Sequence, residues 1–318
     1  MGGRPAKFEL VLESHKIMAM TYSSELPQLK LLTPTDWQDY TLLDSGDGET
    51  LERFGPYTLI RPEPQAIWPK SAPKEDWEAA DAVMVPTGGE HGGYWEYRSE
   101  IQQPWVIDYK GLKSEINLSK SRHIGVFPEQ ASHWNWINDQ ILSTQRRLKV
   151  INLFGYTGMA TAAAARAGAH VTHVDASKHA VAWASRNLSL SGLEDAPVRW
   201  LIEDARKYLK REARRKSFYD GIILDPPKFG RGPSGRVWQY FEDIAGLLEQ
   251  CQRVLSDQPK FICLTSYAIQ ASALVTHQAL KEITKGIGGQ LTSGELVTVD
   301  QSRGRLLSHS IYSRWSSD

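Results

Sequence analysis

The sequence predicts an α/β fold. It comprises a mostly parallel sheet with helices on both faces over residues 116–318, ending in an antiparallel edge hairpin, and a smaller β-rich domain over residues 1–115. Three observations carry this reading. From residue 149 onward, short apolar runs alternate with amphipathic stretches, the rhythm of strand–helix–strand units. The last two strand-like runs follow one another with no helix between them, which suits an antiparallel pair. Before residue 115 the chain holds short aromatic strand-like pieces separated by Gly, Pro and Asp.

In the first region, YTLIRPEP (57–64), GGYWEYR (92–98) and PWVIDYK (104–110) read as strands. Five of the eleven tryptophans lie here: Trp37, Trp68, Trp77, Trp95 and Trp105. Large aromatics dominate cores, so they are expected to pack this sheet. Asp44, Asp47 and Glu49 lie in LLDSGDGETLERFG (42–55), whose spacing does not complete a calcium-binding loop and reads as a turn. The first two dozen residues carry little pattern, and little order is expected of them.

In the second region, LKVINLF (148–154) reads as a strand and TGMATAAAARAG (157–168) as an Ala-rich helix closed by Gly168. HVTHVD (170–175) is the next strand, followed by a helix over 177–192 with Ser177 as its N-cap. Then come VRWLIED (198–204), the basic helix ARKYLKREARRK (205–216), YDGIILD (219–225), a helix near 238–255 and KFICLTS (260–266). A helix near 271–285 precedes GELVTVD and LLSHSIYSRW, the closing pair of strands.

The chain has 318 residues, of which 41% are hydrophobic and 23% charged, enough to bury the cores of two domains. No apolar run approaches the roughly 18 residues of a membrane span, and the N-terminus lacks a secretory pattern. The only cysteines, Cys251 and Cys263, have no metal-ligand spacing. A cytoplasmic protein without membrane contact or metal is expected. Zero net charge hides an asymmetry. Residues 1–115 carry 11 Lys and Arg against 19 Asp and Glu, and residues 116–318 carry 26 against 18, or −8 and +8. A basic catalytic half suits a polyanionic substrate. The competing reading is that Lys207, Lys210, Arg211, Arg214, Arg215 and Lys216 solvate a helix face.

Open α/β sheets bind ligands at the carboxyl ends of their strands. The first such end is Asn152-Leu-Phe-Gly-Tyr-Thr-Gly158, where Gly155 and Gly158 permit a sharp turn before a helix N-terminus. The spacing is not G-x-G-x-x-G, so no dinucleotide pyrophosphate cradle is indicated. The second strand ends in Asp175, suited to accept from both hydroxyls of a ribose, or to cap the helix after it. At the third, Glu203-Asp204-Ala205 offers an acceptor for an adenine amino group and a backbone N–H for a ring nitrogen; Asp204 also suits a helix cap. The fourth ends in Asp225-Pro226-Pro227-Lys228-Phe229. Two prolines stop the ladder and hold carbonyls outward, beside a carboxylate and a ring. That set suits a planar nitrogenous acceptor, its N–H groups held by acceptors and its face stacked.

NLFGYTG, VDAS, EDA and DPPKFGRG, in this order, resemble class I S-adenosylmethionine-dependent methyltransferases of the RlmI/RlmK large-subunit ribosomal RNA type, which have a Rossmann-like fold. The resemblance covers roughly residues 116–266. In HIGVFPEQASHW (123–134), Glu129 and Gln130 match that family's Phe-Leu-Asp-Gln-Arg pattern in kind, with Ala131 at the arginine position. The resemblance implies S-adenosyl-L-methionine as cofactor, contacted by Gln130, Asn152, Phe154, Gly155, Thr157, Gly158, Asp175, Ala176, Asp204 and Ala205. It implies Asp225, Pro226, Pro227, Lys228 and Phe229 on the acceptor side, and ribosomal RNA as partner. Residues 1–115 do not match the RNA-binding module that RlmI-like enzymes carry first.

The acceptor atom decides what chemistry is needed. An exocyclic amine needs hydrogen-bond acceptors on its N–H groups to free its lone pair, whereas a ring nitrogen needs only positioning. Cytosine C5 needs a cysteine thiolate to add at C6 first. RlmI-type enzymes place that cysteine just after the fifth strand, where this chain has Leu264-Thr265-Ser266-Tyr267. Cys263 lies about 6–7 Å back from Thr265 along the strand and reads as a small buried hydrophobe. Transfer to nitrogen is therefore preferred. A methyltransferase of small molecules or proteins, a non-catalytic cofactor-binding module and an NAD-dependent oxidoreductase remain as alternatives. The absent G-x-G-x-x-G and the DPPKF run speak against the last.

Overall fold

The computed structural model describes residues 26–87, 92–231 and 237–317. The expectation about the first two dozen residues lies outside them. A short strand β1 (Leu29–Leu32) precedes β2 (Tyr40–Gly46), β3 (Glu49–Phe54) and β4 (Tyr57–Pro62). After helix α1 (Lys74–Glu78) come β5 (Ala82–Pro86) and β6 (Gly93–Tyr97). Strands β2 to β6 form one sheet in chain order, antiparallel except for the β4–β5 pair. The acidic run at 42–55 is the β2–β3 hairpin, turning at Asp47 and Gly48. Asp44 is wholly buried there, accepting from the Ser71 and Ala72 N–H groups, Trp77 Nε1 and Ser302 Oγ. Trp77, Trp95 and Trp105 are buried, and Trp37 and Trp68 pack against the core, as the aromatic content suggested.

A hairpin of β7 (Trp105–Tyr109) and β8 (Leu112–Ile116) leads through a 3-10 turn (Pro128–Gln130) into α2 (Ala131–Leu142). Alternation then sets in: β9 (Lys149–Leu153), α3 (Met159–Arg166), β10 (His170–Asp175), α4 (Lys178–Leu190), β11 (Val198–Ile202), α5 (Ala205–Arg215) and β12 (Gly221–Leu224). A small hairpin of β13 (Phe229–Arg231) and β14 (Val237–Gln239) interrupts it. The chain continues with α6 (Tyr240–Arg253), β15 (Phe261–Tyr267), α7 (Ala273–Ile283), β16 (Gln290–Val299) and β17 (Leu306–Ser316). The helix starts are chemically marked. Ser177, Asp204 and Ser272 are N-caps whose side chains accept from the first-turn N–H groups.

The large sheet has the order β1-β16-β17-β15-β12-β9-β10-β11, with only β17 running against the rest. Its central strands are buried on both faces. In β9, Val150 enters the core beneath α2 and α3, while Ile151 enters the core beneath α5 and α6. The alanines of α3 are nearly all buried, so this helix lies close against its neighbours.

Two features go beyond the sequence-based expectation. The closing hairpin β16–β17 sits at the expected end of the sheet, but β1 is added in parallel outside β16, so the outermost strand comes from the N-terminal region. The division at residue 115 falls inside β8. That strand is fastened to α4 by Trp183 Nε1, which donates to the Glu115 carbonyl (3.1 Å), and by the Arg186–Glu115 ion pair (2.9 Å). One continuous apolar core joins Tyr40, Phe54 and Trp95 to Trp134, Val150 and Ala162. Local periodicity carries no information about such long-range packing.

Candidate active site

The strand order reverses between β9 and β12, and the carboxyl ends around that point frame a cavity of about 340 Å³. At the end of β9, Phe154 and Tyr156 adopt left-handed backbone angles (φ 56° and 47°), a conformation costing of order 1–3 kcal/mol per non-glycine residue. The surroundings hold it. Tyr156 N–H donates to Asp175 Oδ2 (2.9 Å), Gly155 N–H to the Val174 carbonyl (3.2 Å), and Thr157 Oγ1 to the Gly125 carbonyl (2.6 Å). Gly155 is required by close approach, since a Cβ there would lie 2.4 Å from the His173 ring. Burial pushes His173 down to about 3, so the ring is neutral and bonds Thr161 Oγ1 (2.9 Å), which also accepts from Asn152 Nδ2 (2.9 Å).

Asp175 accepts on both oxygens, from Tyr156 N–H and from Ser177 N–H (2.8 Å). It thus braces the turn and the start of α4 while lining the cavity. Burial raises its carboxyl above the ordinary value, against the lowering effect of these N–H groups. Asp204 lines the cavity too and caps α5, accepting from the Arg206 and Lys207 N–H groups. Burial works to raise it, but Arg206 (3.0 Å to Oδ2) and the helix N–H groups outweigh that and hold it low. Arg206 also pairs with Asp243 at 2.6 Å.

Asp225 ends β12 with its carboxyl pushed up to about 7 by burial, and accepts from Gln130 Nε2 at 3.1 Å. Glu129 beside it is pushed up to about 8, chiefly by burial and further by Asp225. Both carboxyls are thus held above the ordinary carboxylate range by burial. The cavity walls are aromatic: Phe127, Phe154, Tyr156, Trp238 and Tyr267.

Gln130, Phe154, Asp175, Ala176, Asp204, Ala205, Asp225 and Pro227 line this cavity. Asn152, Gly155, Thr157 and Gly158 line an adjoining space of about 70 Å³, which shares Gln130, Phe154 and Asp225 with the first. Pro226, Lys228 and Phe229 line neither. Phe229 belongs to the β13–β14 hairpin and is 53% exposed, with Lys228 Nζ 5.4 Å from its ring centre. Trp238 Nε1 donates to the Pro227 carbonyl (2.6 Å), which leaves that oxygen one further lone pair. Sequence reasoning missed Trp238, placing it in a helix, because its role arises from the pairing of β13 with β14. It also passed over Tyr156 and Tyr267, although one follows Gly155 directly and the other closes β15. Cys263 is buried beside Asp225 in the smaller space, its thiol pushed up to about 12 by burial.

Among the described residues no three His, Cys, Asp or Glu side chains are grouped as metal ligands, and no helix is long and apolar enough to cross a membrane. The fold is a Rossmann-like sheet, with a carboxylate at the end of β10 and a cavity of acidic and aromatic lining at the end of β12. Residues 93–285 match the family described as S-adenosylmethionine-dependent methyltransferase. A solved SAM-dependent methyltransferase from Agrobacterium tumefaciens is 43% identical, with TM-score 0.87 over 94% of this chain and 98% of that one. The chain belongs to the S-adenosylmethionine-dependent methyltransferase family, and S-adenosylmethionine is its cofactor. It is also similar to ribosomal RNA large subunit methyltransferase K/L of Hahella chejuensis, 35% identical over 51% of this chain but 22% of that longer protein. Ribosomal RNA large subunit methyltransferase K of Neisseria meningitidis is 28% identical over 76% of this chain and 70% of its own length. The chain spans about a quarter or less of the K/L relatives it matches.

The cavity fits this cofactor by its own chemistry: about 340 Å³, with five aromatic side chains in its wall and the Asp175 and Asp204 carboxylates among its lining.

Proposed function

We propose that the protein transfers the methyl group of S-adenosylmethionine to a nitrogen of a base in ribosomal RNA. The half-buried Asp225, just after β12 in a cavity with aromatic walls, its carboxyl raised by desolvation, carries this reading. When bound, the cofactor supplies an electrophilic methyl group on a positively charged sulfur. Asp175 would hold its ribose hydroxyls, Asp204 and the Ala205 N–H would meet the adenine edge, and the turn over Asn152, Phe154, Gly155, Thr157 and Gly158, with Ala176 and Gln130, would shape the rest of its seat. The main contribution of such a site is alignment, worth about 7–11 kcal/mol when the reacting atoms are held in line.

On the acceptor side, ionised Asp225 accepts from an N–H of the incoming base, held in place by Gln130. The Pro227 carbonyl lines the cavity and keeps a second lone pair beside the one Trp238 Nε1 uses, and it accepts the second N–H. As the nitrogen–carbon bond forms and the methyl–sulfur bond breaks, its electron pair staying on a neutral thioether, the nitrogen pyramidalises and sheds a proton, which Asp225 takes. Phe229, exposed on the β13–β14 hairpin, and Lys228 just before it meet the RNA outside the cavity. The high Cys263 thiol supports nitrogen over cytosine C5. The β-rich part, residues 1–115, flanks the acceptor, and residues 116–318 carry the chemistry. The site of action is the cytoplasm. The names of the K/L and K relatives support ribosomal RNA as the substrate. Mass mapping of modified nucleosides in ribosomal RNA, from cells with and without this protein, tests the proposal: one methylated base should disappear, and an unchanged map would refute it.

A further inference from the structure

Helix α5 carries six basic residues, and the structure sorts them into two sets. Arg206, Arg211 and Arg215 make ion pairs, with Asp204 and Asp243, with Glu203, and with Glu212 respectively. Lys207, Lys210 and Arg214 make none among the described residues. Instead they line an open groove between α5 and α6, together with Ala213, Gln250 and Arg253. No carboxylate lines it. Spacings of three and four residues put Lys207, Lys210 and Arg214 on one helix face, spread over about 10 Å at 1.5 Å per residue. Arg253 adds a cation from the last turn of the second helix. The groove begins beside the catalytic cavity, since Ala205 and Arg206 of the same helix line that cavity.

Four cations gathered from two helices without a carboxylate repel one another, so the arrangement favours an anionic partner over bare solvent. A repeating polyanion fits best, because each neutralised phosphate releases a counterion. We propose that this groove binds the phosphodiester backbone of the RNA whose base enters the catalytic cavity. The inference rests on the RNA reading above. It also divides the basic helix: one set of cations is structural, and the other is an RNA track.

The test is filter binding of deproteinised large-subunit ribosomal RNA across a salt series. It compares the wild-type protein, the triple variant Lys207→Gln/Lys210→Gln/Arg214→Gln, and the control Lys281→Gln/Lys285→Gln, which removes exposed cations of and just after α7. Each lost phosphate contact lowers the slope of log affinity against log salt by about 0.7–0.9, so the triple variant should be shallower by about 2. The control should keep the wild-type slope, and S-adenosylmethionine binding should be unchanged in all three. A triple variant with the wild-type slope overturns the groove while leaving the RNA reading standing. Absence of salt-dependent binding by the wild-type protein overturns both.

Discussion

Gln130 Nε2 donates to Asp225 Oδ2 at 3.1 Å, joining the 3-10 turn before α2 to the end of β12 across 95 residues of sequence. This contact fixes the carboxyl of the Asp-Pro-Pro turn within the cavity. Asp225→Ala removes an interaction that strengthens as the acceptor nitrogen pyramidalises, so kcat should fall while cofactor affinity barely moves. Single-turnover methylation and calorimetry on the variant measure the two quantities. A near-normal rate in a folded variant would reduce the motif to a structural strand stop.

The Asp225 carboxyl at about 7 sets a pH dependence. Its ionised form is the one that accepts, so kcat/KM should rise with pH and level off above about 7–8, and Asp225→Asn should flatten that limb. Stability follows the opposite sign. A carboxyl raised on folding binds its proton more tightly in the native state, so its stabilising contribution is present at low pH and lost as pH rises from about 4 through 7. Thermal unfolding should therefore show Asp225→Asn stabilised relative to wild type at pH 8, with the difference shrinking towards pH 4.

Asp175 braces the Tyr156 turn and the start of α4, and on the proposed function it also holds the cofactor's ribose, so its loss should show both. Asp175→Ala is expected to weaken S-adenosylmethionine binding by about 1–3 kcal/mol through loss of a charged acceptor. It also frees the Tyr156 and Ser177 N–H groups, so the melting temperature should drop. Calorimetric titration with unchanged affinity but a lowered melting temperature would leave it a structural brace only.

Cys263, with its thiol near 12 and its side chain buried, should form no covalent bond to a base. Cys263→Ala is expected to keep its activity. Trapping of a covalent complex on RNA containing 5-fluorocytosine would restore the C5 reaction.

Phe229 is half-exposed on the β13–β14 hairpin, so its effect should fall on the RNA and not on the cofactor. If the ring stacks on a base, Phe229→Ala should weaken acceptor binding by about 1–3 kcal/mol, read as a raised KM with unchanged S-adenosylmethionine affinity. An unchanged KM would remove Phe229 from acceptor recognition.

The sequence by itself determined the strand–helix alternation from residue 149, the caps at Ser177 and Asp204, and the carboxylates at three strand ends. Each is local: apolar periodicity selects strand or helix, and a short polar side chain beside a helix start meets its unpaired N–H groups. Tertiary structure alone decided that β1 joins the large sheet outside β16 and that β8 is fastened to α4. It brought Gln130 to Asp225 and set Trp238 against the Pro227 carbonyl. It also separated the ion-paired cations of α5 from those lining the groove, a distinction invisible in ARKYLKREARR. The reason is physical. Burial, carboxyl ionisation and the pairing of charges depend on neighbours that the fold delivers from dozens of residues away, and no sequence window contains them.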